Sequence, residues 1–276
     1  DQLSRQTDLL ITVDWGISSY DLVRQFSPGL DMIITDDHQP PDLIPPALAV
    51  LNPKQDGCPY PFKELAGAGV AYVLCRALWQ HHCQEDLLGY ADLAALGTIA
   101  DLVPLTGENR TLVRSGLHQL QNTDRPGLEA LLEEVGLTGK PVTAENVSYA
   151  IAPRINAAGR MDSPRQALEL LLSDDEEQAQ ALAQAVNTAN TRRREVEAGV
   201  QREALLQLQR EPRRLYARVV IVEGENWFPG VIGIVAARLT ELTGKPCIVP
   251  SCQGDEARGS GRSVEGFSLF EAVHAC

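Results

Sequence analysis

The chain has 276 residues, room for about two domains of roughly 150 residues each, and its 44% hydrophobic and 22% charged content excludes a disordered or fibrous chain. No stretch approaches the roughly 18 uninterrupted apolar residues of a membrane span. The net charge of −13 argues against a nucleic-acid partner only if it is evenly spread. It is not: residues 1–190 carry 26 acids against 12 bases, whereas residues 191–276 carry 11 against 12.

In chain order, residues 9–14 (LLITVD) read as a buried strand. A short amphipathic helix over 20–26 and a second apolar run, 32–35, complete a strand–helix–strand unit, whose crossover makes the two strands parallel. Both runs end in aspartate, so Asp14 and Asp36 leave the same carboxyl edge, where open α/β folds place their ligands. A third strand over 48–52 follows, and from Gly67 the pattern turns helical: helices are expected from 67 onward, over 87–100, 112–120, 128–135 and 144–151. Within the first of these, Cys75, Leu78 and Trp79 share the spacing of a buried face, which argues against a zinc site with His81, His82 and Cys83. The remaining cysteine spacings match neither a Cys-x-x-Cys pair nor a zinc knuckle, and no signal peptide opens the chain. Free thiols in a reducing cytoplasm are the expectation.

One long helix is expected from 173 to about 208, with acids in its first turns, as the helix dipole favours, and Arg192, Arg193 and Arg194 midway. It connects the acidic region to the near-neutral one. Beyond it, a strand over 217–222, a helix over 230–242, a strand over 246–250 and a helix over 269–276 make a second α/β domain. The expected fold class is therefore α/β: a parallel-sheet domain (1–172), a connecting helix (173–210) and a smaller, incomplete α/β domain (211–276).

Asp14, Asp36, Asp37, His38 and Asp101 form the candidate site. Carboxylates crowded at one sheet edge raise each other's pKa, and a cation relieves the crowding. Oxygen ligands with one imidazole suit Mn²⁺ or Mg²⁺. The same Asp-Asp-His triplet also fits a surface turn, and spacing alone leaves both readings open. Residues 153–160 (PRINAAGR) are expected as a loop of small residues bearing two arginines, open to a phosphate. The helix start in 227–235 (WFPGVIGIV) offers free amides to an anion, and residues 258–263 (RGSGRS) read as a flexible basic loop suited to a nucleic-acid backbone.

Taken in order, ITVDWGISS, IITDDHQPPD, LAGAGVAY, LGTIADLVPL, APRINAAGRM, WFPGVIGIVAARL and GSGRS resemble the RecJ branch of the DHH phosphoesterase family, from Leu10 to Ser263. The resemblance implies a DHH domain holding two Mn²⁺ or Mg²⁺ ions and a second domain, DHHA1, that grips nucleic acid across a cleft. It also implies 5′→3′ exonucleolysis of single-stranded DNA in DNA repair and recombination by metal-assisted hydrolysis. Asp14 matches the aspartate bridging the metals, and Asp101 the ligand of the later motif. Asp36, Asp37 and His38 match the Asp-His-His triplet, whose first His ligates metal and whose second faces the scissile phosphate. The implied catalytic pair is thus His38 with Asp36. Arg154, Asn156, Arg160, Gly259, Ser260, Gly261, Arg262 and Ser263 fall where the family contacts the strand.

The chain departs from that pattern at several points. Asp37 stands where the metal-binding histidine belongs, Trp15 replaces a small polar residue, and Phe228 occupies a position often held by histidine. The first aspartate motif and the glycine-glycine-histidine segment of DHHA1 lie outside these residues. The expectation is a stretch of a RecJ-like nuclease lacking the first motif and the C-terminal part, partnered by single-stranded DNA and by a helicase or single-strand-binding protein, with no membrane. The alternatives are a catalytically impaired relative that binds strands or serves as a scaffold, and a small-substrate phosphoesterase.

Overall fold

The computed structural model describes residues 5–276. The chain divides into two compact units, Asp1–Pro153 and Arg154–Cys276.

In the first unit, β1 (Leu9–Val13), β2 (Asp31–Thr35) and β3 (Ala49–Leu51) form a parallel sheet in the order β1-β2-β3. The register sets Val13 opposite Thr35 and Thr35 opposite Leu51, so all three strands end level with one another. Between β1 and β2 runs α1 (Tyr20–Phe26). Its Val23 packs with Leu30, Met32 and Ile34, and Leu10, Phe26 and Val50 close the cluster.

Four helices follow: α2 (Gly67–Cys83), α3 (Ala91–Ala100), α4 (Gly107–Gln121) and α5 (Pro126–Glu134). Helix α3 is buried almost all round, and its alanines let neighbours come close. At Gly116 on α4 a side chain would run into the Ala91 carbonyl and the Ala95 methyl. Asp92, buried in the first turn of α3, is paired with Arg125 at 3.0 Å.

The buried face expected at Cys75, Leu78 and Trp79 is instead exposed. Only Gly67, Gly69, Val70 and Tyr72, in the first two turns of α2, are buried, and the second half of the helix projects into solvent. Apolar spacing marks a stripe, but burial needs a facing element. Among the described residues the carboxylate–histidine group described below is the only cluster with metal-ligand geometry, so His81, His82 and the two cysteines form none.

The segment 153–160 is not a loop. Thr143 caps α6 (Ala144–Asn146), with its Oγ1 accepting from the Asn146 amide, and a π-type turn (Val147–Ile151) leads directly into α7 (Ala152–Met161). Pro153 follows that turn, whose bond from the Ala152 amide to the Val147 carbonyl departs from the regular ladder just before the residue that has no N–H to give. Ala157 and Ala158 are fully buried, so the small residues there serve close packing and not flexibility.

The second unit begins within α7 and continues with α8 (Arg165–Leu172) and α9 (Glu176–Arg210). Asp175 caps α9, accepting from the Gln178 amide at 2.7 Å, and Glu176 and Glu177 follow in its first turn. A 3₁₀ turn (Pro212–Tyr216) leads to β4 (Val220–Ile221), β5 (Gly224–Glu225), α10 (Pro229–Thr243), β6 (Cys247–Gln253), β7 (Glu256–Arg262) and α11 (Leu269–His274). Strands β4 and β5 pair in parallel with β6, which pairs antiparallel with β7. Val200, Ala204 and Leu208 of α9, Val231, Val235 and Leu239 of α10, Val249 of β6 and Trp227 share one core.

Residues 258–262, expected as a flexible loop, thus lie in a strand; only Ser263 lies beyond it. Gly254, at φ +58°, makes the turn from β6, and seven residue pairs join the two strands. Gly261 packs under Leu269, whose Cδ2 would lie 2.5 Å from a Cβ at that position. No helix among the described residues is long and apolar enough to cross a membrane.

Candidate metal centre and strand-binding residues

The level ends of β1, β2 and β3 gather the acidic residues. Asp14 follows β1, its amide donating to the Thr35 carbonyl at 2.9 Å, and Asp36 follows β2, donating to the Leu51 carbonyl at 3.0 Å. Asp14 takes a left-handed conformation (φ +56°) and Gly16 follows at φ +119°, a reversal that brings the Ile17 amide back to Asp36.

Asp36 is 1% exposed and both its oxygens are occupied. Oδ2 accepts from the Ile17 amide at 2.9 Å; Oδ1 accepts from the amides of Asp37 (2.8 Å) and His38 (3.1 Å) and from the His38 ring at Nδ1 (2.7 Å). Burial alone would raise its pKa, but the Ile17 amide, the His38 ring and the two further amides outweigh burial and hold it below the usual carboxylate value. An ionised carboxylate only accepts, so His38 donates from Nδ1 and keeps Nε2 as its basic nitrogen. The same bond raises the His38 pKa, against partial burial.

Beside this clamp, Asp37 is 6% exposed and lies 3.4 Å from the Lys54 ammonium. One donor atom from each of Asp14, Asp36, Asp37 and His38 falls within 4.8 Å of the others. The crowding registers on Asp14, whose pKa is raised to about 6 by desolvation first and then by its hydrogen bond to Asp37 and that residue's charge. Asp101, the residue closing α3, is not one of the four, yet desolvation and then Asp37 raise its pKa too. Hard oxygen donors with one imidazole form a set that fits Mn²⁺ or Mg²⁺, and a divalent cation would offset the repulsion. Trp15, expected to put bulk near an ion, is half exposed, and its carbonyl accepts from Thr12 Oγ1 at 2.6 Å.

Two residues at this edge, Asn52 and Lys54, escaped the sequence reading. Asn52, just past β3, donates from Nδ2 to the His38 carbonyl (2.8 Å) and accepts at Oδ1 from the Lys54 amide (2.8 Å). The signal was present, because Asn-Pro-Lys follows the third strand at the same carboxyl edge as the two aspartates.

In the second unit, three of the expected strand contacts converge on α10. Arg160 donates from Nη1 to the Gly230 carbonyl at 3.3 Å, and the Arg160 carbonyl occupies the space where a side chain at 230 would sit. At the start of α10, then, Gly230 makes room for this backbone. One turn on, a side chain at Gly233 would meet Ser260 Oγ at 2.9 Å and Arg262 Nη2 at 3.6 Å. Gly259 and Gly261 alternate with these two on the opposite face of β7, and Ser263 Oγ donates to the Phe267 carbonyl. Arg154 donates from Nε to Asn187 Oδ1 on α9 at 2.9 Å, while Asn156 is exposed.

Residues 1–98 match the DHH family, N-terminal domain. The chain is 41% identical over 275 residues to a single-stranded-DNA-specific exonuclease RecJ of Bacillus subtilis, covering 99% of this chain and 34% of that protein. Among solved structures, a Thermus thermophilus RecJ in complex with Mn²⁺ superposes with a TM-score of 0.88 at 38% identity, covering 99% of this chain and 40% of that one. An exonuclease RecJ bound to manganese superposes at 0.86 with 39% identity, covering 99% and 67%. The chain thus spans about a third of the Bacillus protein, and it belongs to the RecJ branch of the DHH family.

Proposed function

We propose that this chain carries the core of a metal-dependent exonuclease that degrades single-stranded DNA in the 5′→3′ direction, in DNA repair and recombination. The observation that carries the proposal is the convergence of Asp14, Asp36, Asp37 and His38 at one sheet edge in a RecJ relative.

In this reading Asp14, Asp37 and Asp101 hold Mn²⁺ or Mg²⁺, with the Asp37 carboxylate taking the place of an imidazole. When bound, the ions activate water, polarise the phosphodiester and stabilise charge on the leaving oxygen. Asp36 does not meet substrate, because its four hydrogen bonds leave it no free direction. It acts on His38, fixing the proton at Nδ1 and turning Nε2 toward the scissile phosphate. Lys54 holds one oxygen of Asp37 and leaves the other for metal. Arg154, Asn156, Arg160, Ser260, Arg262 and Ser263 line the path of the strand, with Gly259 and Gly261 between them on the opposite face of β7. The two arginines nearest α10 supply charge-assisted contacts to phosphate oxygens.

The organisation that goes with this role is a DHH domain over 1–172, a connecting helix over 173–210 and a DHHA1 domain over 211–276. The protein works in the cytoplasm on single strands exposed by a helicase or covered by a single-strand-binding protein. Incubating the chain with 3′-labelled single-stranded DNA and Mn²⁺ tests the proposal. Mononucleotides released from the 5′ end, lost on chelation and in Asp14→Ala, are expected. An Asp14→Ala variant as active as the native chain refutes it.

A further inference from the structure

The first turn of α2 touches the candidate centre through a residue with no side chain. A Cβ built on Gly67 would lie 2.5 Å from Asp14 Cβ, 2.5 Å from its Oδ1 and 2.7 Å from its Cγ. Real Cβ atoms do not approach heavy atoms so closely, and two of these three atoms are not the free end of a flexible chain. Asp14 Cβ is fixed by the backbone, which is itself held by the hydrogen bond its N–H donates to the Thr35 carbonyl and by the left-handed turn at φ +56°. Rotating the carboxylate therefore leaves the Cβ conflict in place. The helix cannot easily retreat either: Gly97 of α3 faces Ala68 so closely that a methyl on Gly97 would collide with the Ala68 methyl, and Gly67, Gly69 and Val70 are all buried.

We propose that Gly67 is a positioning residue for Asp14: by lacking a side chain it lets the α2 backbone press on Asp14 and aim its carboxylate into the group formed with Asp37 and His38. The inference rests on the reading of Asp14 as a metal ligand. It gives a specific meaning to the first glycine of the LAGAGV segment. The second, Gly69, faces the Leu65 side chain, with a flexible methyl nearest at 3.3 Å, and Thr98 Oγ1 at 3.9 Å, none of them a residue of the site.

Mn²⁺ titration of the 276-residue chain, followed by the loss of the free-ion paramagnetic resonance signal, tests the proposal without needing catalysis. Gly67→Ala should weaken Mn²⁺ binding by about 10–100-fold, the range for groups that orient a ligand, while Gly69→Ala binds as the native chain does. A thermal cycle supplies the second reading. Gly67→Ala should lower the melting temperature in the native background, yet leave it unchanged or raised in an Asp14→Gly background, where the conflict is gone and alanine is the better helix former.

Native affinity in Gly67→Ala overturns the inference, as does equal loss in Gly69→Ala. So does a Gly67→Ala penalty that persists in Asp14→Gly, a result that also decides the matter if the single variant does not fold. Native Mn²⁺ affinity in Asp14→Ala refutes instead the reading of Asp14 as a ligand, so the two failures are distinct.

Discussion

Replacing Asp36 by asparagine changes one buried oxygen into an NH₂ group at nearly constant volume, and the surroundings dictate what is lost. The amides of Asp37 and His38 both need an acceptor at Oδ1. Asparagine can supply that acceptor only by turning its NH₂ toward the Ile17 amide, which then faces a donor instead of an oxygen. The charge-assisted bond to His38 Nδ1 weakens as well. Hydrogen bonds to a charged group contribute about 1.5–3 kcal/mol each, and a buried amide left without an acceptor costs about 1–3 kcal/mol. Relief of the buried charge returns part of this, so Asp36→Asn should destabilise the first unit by about 2–4 kcal/mol, a large share of a typical domain stability of about 5–15 kcal/mol.

The pH dependence carries the same signature. The folded-state pKa of Asp36 lies below its ordinary 3.8, so its contribution is complete above 3.8 and is lost as pH falls through the folded value. Urea unfolding followed by circular dichroism at pH 7 and again near pH 3 should show a difference between native and variant that shrinks in acid. With His38 released from its clamp, nucleotide release should also slow by about 10–100-fold. A loss below about 0.5 kcal/mol at pH 7, with an unchanged rate of nucleotide release, would show that Asp36 does not organise this edge.

Mn²⁺ binding itself should weaken in acid: with the pKa of Asp14 raised to about 6, its proton competes with the ion below that value, and calorimetry should find affinity falling by up to about tenfold per unit from pH 6 to pH 5. Flat affinity across that interval would remove Asp14 from the ligand set. In the second unit, Glu197 is 2% exposed between Arg193 Nη1 and Arg238 Nη2, each at 2.6 Å, so Glu197→Ala should cost about 3–5 kcal/mol by leaving Arg193 buried without its partner. Glu197→Gln should cost less, and equal penalties in thermal unfolding would mean that shape matters there more than charge.

The strand runs and the long helix were legible from local composition: residues 9–14 and 32–35 are short apolar runs that end in aspartate, and 173–208 opens with acids and holds no glycine before Gly199. The burial expected of β1 is not found, since Leu9, Ile11 and Val13 are exposed on one face of the strand. The segments misread as loops share a different property. In PRINAAGR and RGSGRS, small residues appear where the fold packs closely: Ala157 and Ala158 are fully buried, and Gly261 lies against the Leu269 side chain. Composition cannot separate a glycine that frees the backbone from one that makes room for a neighbour, since the neighbour is distant in sequence. The site divides the same way. Asp14 and Asp36 could be placed at one edge from two strand ends, but the roles of Asn52, Lys54 and the Ile17 amide depend on β3 lying beside β2 and on the reversal at Asp14 and Gly16.

Net charge shows why such local geometry outweighs composition. The first unit holds 20 acids against 9 bases, while residues 154–276 hold 17 against 15. At physiological ionic strength a surface charge is screened over about 8 Å, so a phosphate responds to the groups it touches far more than to the net charge of the chain. The carboxylates of the first unit repel an anion only until cations occupy them, and at this sheet edge desolvation first and then the charge of Asp37 raise the pKa of Asp14 and of Asp101, a penalty that a bound cation would offset. An acidic total and a nucleic-acid substrate are therefore compatible, because the excess acid lies where it recruits metal and the arginines lie in the unit where it is nearly balanced.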